Sequence, residues 1–405
     1  MSSDPEQRAA YLRGAGKLAV DAILGITDLV EHLHRTVTTF GGLFAGEQRH
    51  RTTGMTGFVY SNIRAITTLL GGGLDAALAR AAAEAEEAGE EPTRSREMMI
   101  AVLNGVLGDH LVASDNPLAI PMQLRQNGEV VSADPALREA MAQAGGRVLL
   151  MLHGSSCDDL QWNWKGHNHG AALADELGYV PLYLRYNSGR HISDNGAELA
   201  DLLEAFVAEL PELEELTFLA HSMGGLVARS ACHYAERAGH HWRERLRKLV
   251  CLATPHHGAL LERSGNWVDN LLQISPYSAP FARLGKIRSA GVTDLRYGNV
   301  VHEDWQGHER FERSPDRRHP VPLPDGVDCY TVAATTGEAA GHITDHVIGD
   351  GLVQLDSALG RHEDPELDLA FPDSHQLVVR GTSHLDVLCD PRVYEAIKGW
   401  LSTSA

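Results

Sequence analysis

Three features are scarce in this sequence: basic residues, paired cysteines and long apolar runs. The 405 residues include 35 Lys and Arg against 54 Asp and Glu, which gives a formal net charge of −19. Nucleic acids and anionic membrane surfaces are bound through basic patches, so this acidic balance argues against both as partners. We therefore expect no nucleic-acid partner.

The cysteines are few and widely spaced. They form neither a paired disulfide framework nor a close zinc-binding spacing, which favours a reducing compartment. The polar, acidic N-terminus is not followed by an apolar segment with a small-residue cleavage site, and no stretch of about 18 apolar residues occurs. These absences predict a cytoplasmic protein without a transmembrane segment.

The length of the chain favours a core domain with an added module, and a hydrophobic content of 43% is ample for a packed core. Apolar residues at helical spacing predict helices at residues 19–33, 58–70, 74–88 and 96–111. No catalytic motif occurs there. We expect an N-terminal helical region over residues 1–115, which could be a second cap, an oligomerisation surface or a weak membrane-surface anchor.

Short apolar runs alternate with helical patterns after residue 116. The dipeptide Asn127-Gly128 predicts the turn of a β-hairpin between residues 122 and 131. This alternation predicts an α/β domain over residues 116–405, with a doubly wound, mostly parallel sheet covered by helices on both faces. The predicted strands are residues 147–152, 179–186, 216–220, 248–253, 329–334 and 376–380, and the clearest helices are 195–210 and 391–401.

The interval 255–327 carries no clear strand, although predicted strands lie on both sides of it. A connection this long within a compact domain is usually functional. We expect a cap or lid over a site, and a plain surface insertion is the alternative. The apolar side of this interval consists of Trp267, Leu271, Leu272, Ile274, Tyr277, Phe281 and Leu284.

The stretch Ala-His-Ser-Met-Gly at residues 220–224 lies between a predicted buried strand and a predicted helix. In that context a G-x-S-x-G motif indicates a nucleophile elbow, with the serine on the sharp turn. Ala220 replaces the first glycine at the cost of one methyl group, while Gly224 allows strand and helix to approach. Ser222 would then lie at the positive end of the helix, where negative charge is stabilised. The alternative is an ordinary helix N-cap.

A serine hydroxyl is a weak nucleophile until a base takes its proton, and an acid must orient that base. In this kind of fold the acid and then the histidine follow the serine along the chain, near strand ends. Asp350 lies in a glycine-flanked turn after the predicted strand 329–334, and Asp345 and Asp356 are rivals.

The histidine expected to act as base is His384, which directly follows the last predicted strand. That position favours it over the other late histidines. Asp386 lies too close to His384 in sequence for the usual orienting role, so we expect it to be structural. The less favoured histidines are His342, His346, His362 and His375.

A tetrahedral intermediate carries an oxyanion that needs backbone N–H donors. One donor should be Met223, the residue after the nucleophile, and the other Ser155, in the loop after strand 147–152. Gly154 would let that loop approach the site, and His153 is expected to shape it. Other candidate pocket residues are His221, His256 and His257, the last two in a Thr-Pro-His-His-Gly stretch that could also hinge the cap.

A metal site is a further alternative, because His167/His169 and His256/His257 are close pairs. Neither spacing places two histidines on one helix face, and no Cys or carboxylate cluster completes a ligand set. We therefore expect no metal.

Together these residues resemble the α/β-hydrolase superfamily, and most closely bacterial lipases and esterases and the lipase-like group that includes the GPI inositol-deacylases. The resemblance runs from about residue 116 to the C-terminus and implies Ser222 as nucleophile, Asp350 as acid and His384 as base. It also implies Ser155 and Met223 as oxyanion donors, and no cofactor. The stretches that carry it are residues 152–155, 220–225, 252–258, 349–353 and 382–385.

The resulting hypothesis is a cytoplasmic carboxylic-ester hydrolase that acts on a small-molecule or lipid ester through an acyl-enzyme. An acyltransferase or a lipid- or polyester-specific hydrolase is the alternative within enzymes. A binding protein that kept the fold without catalysis is the alternative outside them. The acyl chain, the alcohol and the oligomeric state are not determined by these motifs.

Overall fold

The computed structural model describes residues 92–259, 289–310, 315–338 and 349–402. Outside these ranges lie the predicted helices 19–33, 58–70 and 74–88 and the apolar residues of the expected cap. The rival residues Asp345, His342 and His346 also lie outside them. The chain divides into two compact units, residues 1–96 with 111–119 and residues 97–110 with 120–405.

In the first unit, the described residues are the two ends of helix α1 (Pro92–Ala113) and the turn that follows it. The N–H of Asn116 donates to the carbonyl of Leu111 at 2.8 Å, and the Asn116 Oδ1 accepts from the N–H of Leu118 at 2.9 Å. The amide side chain thus stabilises the reversal after the helix.

The second unit is built on one eight-stranded sheet with the order β2-β1-β4-β3-β5-β6-β7-β8. β1 pairs antiparallel with β2 and β4, and all other neighbours are parallel. The predicted doubly wound, mostly parallel sheet is confirmed. The strands are β1 (Gln123–Gln126), β2 (Glu129–Val130), β3 (Arg147–Leu152), β4 (Val180–Arg185), β5 (Glu215–His221), β6 (Leu246–Leu252), β7 (Asp328–Thr335) and β8 (Gln376–Arg380).

Helices connect the parallel strands, as a right-handed crossover arrangement requires. The described helices are α1 (Pro92–Ala113), α2 (Pro135–Gln143), α3 (His169–Leu177), α4 (Ile192–Glu209), α5 (Met223–Ala238), α6 (Ala290–Asp294), α7 (Leu355–Ala358) and α8 (Pro391–Ser402). None of the helices within the described ranges is long and apolar enough to cross a membrane.

The predicted strands agree with the structure to within two residues at each end. The hairpin turn is also as predicted, since Asn127 and Gly128 both have positive φ, at 52° and 81°. Helix α3 was not predicted, because nine residues are too few for a clear helical period. Its local signals in the sequence are Asn168 as the N-cap and Gly178, which has a left-handed conformation, at its end. No strand occurs in the described parts of the interval 255–327.

The core lies on both faces of β3 and β5, whose runs of apolar residues are buried. Phe218 at the centre of β5 is fully buried, and its ring lies 5.7 Å from that of Trp242, which donates from Nε1 to the carbonyl of Ala200 at 3.0 Å. This packing holds β5 in place at the centre of the sheet. Because the strands are parallel, the carboxyl ends of β3, β5, β6, β7 and β8 meet at one edge.

Replacing Phe218 by Ala tests the role of the central strand. The substitution leaves a cavity beside Trp242, and we expect the free energy of unfolding to fall by about 3–5 kcal/mol. Val130→Ala is the control, because Val130 is 58% exposed at the end of the sheet and its loss should change stability little. Urea unfolding measures both; equal effects would contradict the placement of the core.

Candidate active site

Ser222 stands between β5 and α5 in a backbone conformation that is rare for a residue with a side chain. Its φ and ψ are 54° and −125°, and it occupies the N-cap position without making a side-chain capping bond. Its own N–H donates to the carbonyl of Leu252 at 2.8 Å, which ties the turn to the end of β6. Such a conformation costs about 1–3 kcal/mol and persists only where the surroundings impose it.

The surroundings that impose this turn include two glycines. A Cβ on Gly224 would lie 2.5 Å from the carbonyl oxygen of Leu152 and 2.6 Å from that of His153, so only glycine lets α5 pass this close to β3. A Cβ on Gly154 would lie 3.0 Å from the Cβ of Ser222. The loop after β3 and the serine turn are therefore in direct contact.

The structure brings His384 and Asp350 together at this edge of the sheet. His384 Nδ1 lies 2.7 Å from Asp350 Oδ2, and both side chains are buried. Since a carboxylate accepts, Nδ1 carries a proton, and Nε2 is the ring nitrogen that could take a proton from another group. The other carboxyl oxygen of Asp350 accepts from the N–H groups of Leu352 and Val353 at 2.9 and 2.8 Å, which fixes the rotation of the carboxyl group.

The turn around Asp350 depends on its flanking glycines. Gly349 and Gly351 have φ of 56° and 102°, and a Cβ on Gly349 would lie 1.9 Å from the carbonyl oxygen of Val353. The backbone of Asp350 also holds the histidine loop, because its carbonyl accepts from the N–H of His384 at 3.1 Å. Acid and histidine are thus joined through side chain and main chain.

His221 makes a contact that the sequence did not predict. Its Nε2 donates to the carbonyl of His384 at 3.0 Å, and the two rings are 4.9 Å apart. Burial holds the pKa of His221 well below its usual range, so the ring is neutral. The residue before Ser222 therefore joins the end of β5 to the loop that carries His384. Its place beside the serine was the only signal in the sequence.

The loop after β3 is held by His153. Its ring stacks on Tyr186 at 4.2 Å, its Nδ1 donates to the carbonyl of Gly154 at 2.8 Å, and Tyr186 OH donates to the carbonyl of His153 at 2.8 Å. Burial lowers the pKa of His153 to about 4, so it is neutral at pH 7. Ser155, which follows, is also buried. Met223 begins α5, where its N–H has no acceptor within the helix.

His256 and His257 lie after β6, and the contacts described for them are with Arg229, Phe371 and Ser357. His256 is fully buried, with its Nδ1 3.5 Å from Arg229 Nη1 and its ring 5.5 Å from that of Phe371. The N–H of His257 donates to Ser357 Oγ at 3.1 Å, and burial lowers the pKa of His257 to about 3. Burial also holds the pKa of His256 well below its usual range, so both rings are neutral.

The remaining rivals lie elsewhere. Asp356 is on α7 with a side chain 51% exposed, and it pairs with Arg361. His375 Nδ1 donates to the carbonyl of Cys329 at 3.0 Å. Asp386 accepts from Trp164 Nε1, Lys165 and Ser383, as expected of a structural carboxylate.

Two carboxylates next to the β3 loop were not singled out in the sequence. Asp159 Oδ1 lies 2.9 Å from Arg125 Nη1. Asp158 Oδ1 accepts from the N–H of Gln161 at 3.1 Å, while its Oδ2 is buried without a hydrogen-bond partner among the described residues. Burial and the neighbouring charge of Asp159 raise the pKa of Asp158 to about 7.

No group of three or more His, Cys, Asp or Glu residues within the described ranges could hold a metal ion. Of the close pairs, His167 and His169 bond each other at 2.8 Å, and His169 Nε2 donates to the carbonyl of Val387 at 2.9 Å. All five cysteines are described and have free thiols.

The strand order, the serine turn after β5 and the position of His384 after β8 define an α/β-hydrolase fold. Residues 168–320 match the family model of the PGAP1-like alpha/beta domain. No curated protein matches the chain significantly.

Solved structures with similarity to this chain include lipases. The mature lipase BlEst2 of Bacillus licheniformis is 18% identical over 70% of this chain and 98% of that chain, with a TM-score of 0.44. Lipase B of Aspergillus fumigatus is 11% identical over 72% and 58%, with a TM-score of 0.41. Phospholipase PlaB of Legionella pneumophila is 16% identical over 53% and 45%, with a TM-score of 0.34.

The raised pKa of Asp158 predicts a pH dependence of stability. The carboxyl group ionises in the unfolded chain near pH 4 but in the folded chain only near pH 7, so the folded state holds one more proton between these values. Stability from this group is therefore present below about pH 4 and is lost as the pH rises towards 7. Asp158→Asn keeps an oxygen for the N–H of Gln161 and removes the titration.

Thermal unfolding of both proteins from pH 4 to pH 8 measures this effect. The melting temperature of the wild type should fall relative to that of Asp158→Asn up to about pH 7 and stay parallel above it. A difference that is constant across the whole range would show that Asp158 is ionised throughout.

Proposed function

We propose that the chain is a carboxylic-ester hydrolase with Ser222 as nucleophile, His384 as general base and Asp350 as the acid that orients it. The observation that carries this proposal is the conformation of Ser222. A serine that only capped a helix would bond the first turn and need no strained backbone. Ser222 makes no such bond, and the residue before it contacts His384 directly.

In the proposed reaction, Ser222 Oγ attacks the ester carbonyl carbon while its proton passes to His384 Nε2. The tetrahedral intermediate collapses, the bond to the alkoxy oxygen breaks, and His384 gives the proton to the leaving alcohol. Water then attacks the acyl-enzyme by the same route and releases the acid and Ser222. Asp350 holds the ring with the proton on Nδ1 and stabilises the imidazolium that forms.

The N–H groups of Met223 and Ser155 are the proposed oxyanion donors. Met223 contributes the first amide of α5, whose helix dipole favours negative charge at this end. Ser155 follows Gly154, and the close approach of Gly154 to Ser222 supports an amide of this loop next to the reacting carbon. His153 and Tyr186 hold the loop through stacked rings, and neither side chain adds a charge next to the proposed oxyanion.

The proposed nucleophile is tested with p-nitrophenyl esters of short to long acyl chains. We expect Ser222→Ala to lower kcat by about 10⁴-fold or more, because the acyl-enzyme can no longer form. Alanine tolerates φ of 54° no better than serine, so the melting temperature should change little. The chain-length optimum of the wild type separates esterase from lipase activity.

Two additions to this experiment address the alternatives. Ester products formed with an added primary alcohol would identify acyl transfer through the same serine. A serine-directed phosphonate that fails to label the wild-type protein would favour the non-catalytic binding protein. Full activity in Ser222→Ala would remove the proposed mechanism.

The orienting role of Asp350 is tested by Asp350→Asn, with Asp356→Asn as the matched control. Asparagine at 350 can donate to Nδ1 and so favours the wrong tautomer of His384, and kcat should fall by about 10⁴-fold. Asp356 is half-exposed on α7, and its substitution should leave kcat unchanged. Equal kcat values for the two variants would contradict the assignment of the acid.

A further inference from the structure

Residues 97–110 of helix α1 lie directly behind the loop that carries Ser155. Residues 100–108 of this helix are all buried, which is unusual for a helix outside the sheet connections. A Cβ on Gly105 would lie 2.0 Å from Ser156 Oγ, 2.6 Å from its Cα and 2.7 Å from its Cβ. The backbone of Ser156 itself has a φ of 58°. The absence of a side chain at Gly105 is what gives this loop its space.

A second loop joins the helix to Ser156. The N–H of Ser156 donates to Ser188 Oγ at 3.0 Å, and the residue before Ser188 reaches the helix, because Asn187 Nδ2 donates to the carbonyl of Gly108 at 3.0 Å. Gly189 approaches just as closely, since a Cβ there would lie 2.0 Å from the carbonyl oxygen of Asn104. The helix thus supports Ser156 both directly and through residues 187–189.

The start of this helical stretch is fixed by ion pairs. Glu97 Oε2 lies 2.5 Å from Arg185 Nη2 at the end of β4 and 3.8 Å from Arg125 Nη1 on β1. Arg125 also holds Asp159, three residues after Ser156. These charges are largely shielded from water, so their attraction is stronger than that of surface pairs. The helix cannot slide along the loop without breaking them.

The end of the stretch holds the segment that begins at Ser289. Ser289 Oγ donates to the carbonyl of Gly105 at 2.6 Å, and the N–H of Ala290 donates to Asp109 Oδ2 at 3.2 Å. Arg310 pairs with the same carboxylate at 2.5 Å. The same helix therefore contacts both the loop that carries Ser155 and residues 289–310 of the long connection between β6 and β7.

We propose that helix residues 97–110 are a positioning element for the reaction and that Gly105 is its central positioning residue. The inference rests on the proposed function, because it assigns the Ser155 N–H as an oxyanion donor. Gly105 does not touch the substrate; it sets the position of Ser156 and so of the preceding amide. Oxyanion donors act on the transition state, so a displaced loop lowers kcat and leaves KM nearly unchanged.

The test is Gly105→Ala in the full-length protein, with Gly399→Ala as the matched control. A Cβ on Gly399, in α8, meets nothing within 4 Å, so this variant keeps wild-type kinetics. At Gly105 the new methyl must displace the backbone of Ser156. We expect kcat per active site, titrated with a phosphonate, to fall at least about tenfold, since small misplacements of catalytic groups can cost up to about a hundredfold.

The contact is identified by a second substitution. Ser156→Gly removes the Cβ and Oγ that the methyl group introduced by Gly105→Ala would strike, and glycine accepts a φ of 58° without strain. The kcat of Ser156→Gly alone is the reference for the double variant, and Gly105→Ala should lower kcat less in the Ser156→Gly background than in the wild type. Titration of active sites separates this effect from simple loss of folded protein, which would lower the number of sites and not kcat.

Gly108→Ala is the milder variant if Gly105→Ala does not fold, because the three atoms nearest to its Cβ all belong to the side chain of Asn187 and not to the backbone. We expect the same pattern, a lower kcat at constant KM, with a smaller loss. Unchanged kcat per site in the folded glycine variants, or a loss that Ser156→Gly does not relieve, would overturn the proposal. Wild-type protein without esterase activity would instead remove the proposed function itself.

Discussion

The close approach of helix α5 to strand β3 is the constraint on which the rest of the site depends. Gly224 lies so near the carbonyls of Leu152 and His153 that a single methyl group would overlap them. This approach forces Ser222 into its strained conformation and presses the β3 loop against it. Ser222 stays in this strained conformation because the strands on both sides hold the turn. One contribution is the packing against β3, and the other is the hydrogen bond to the carbonyl of Leu252 at the end of β6.

The histidine loop is the second part of the site, and it is joined to the first by main-chain contacts. His221 donates to the carbonyl of His384, and the N–H of His384 donates to the carbonyl of Asp350. These main-chain contacts hold the loop independently of the bond between the side chains of His384 and Asp350. An imidazole held in one orientation needs little reorganisation during proton transfer, which is the physical advantage of such preorganisation.

The β3 loop contains several features that cost free energy of folding. It contains the left-handed Ser156, the partly unpartnered carboxyl group of Asp158 and the buried side chains of His153 and Ser155. Natural proteins accept such costs mainly at functional sites and offset them by packing elsewhere. Here the offset comes from Tyr186, which clamps His153, and from the buried face of α1.

The positions of the strands followed from local apolar runs, and the places of Ser222, Asp350 and His384 followed from their positions after those strands. A parallel sheet brings such strand ends together whatever the intervening chain does, so sequence order was sufficient. The glycines around Asp350 were readable for the same reason, because a turn of that kind needs positive φ.

The tertiary structure alone decided the contacts between segments far apart in the chain. Gly105 and Ser156 are ordinary residues in sequence, and only their meeting reveals that one makes room for the other. The neutral state of His221 and the raised pKa of Asp158 likewise depend on burial, which local sequence does not specify. The sequence determined the order of the chemical groups along one sheet edge, whereas packing determined their distances, protonation and support.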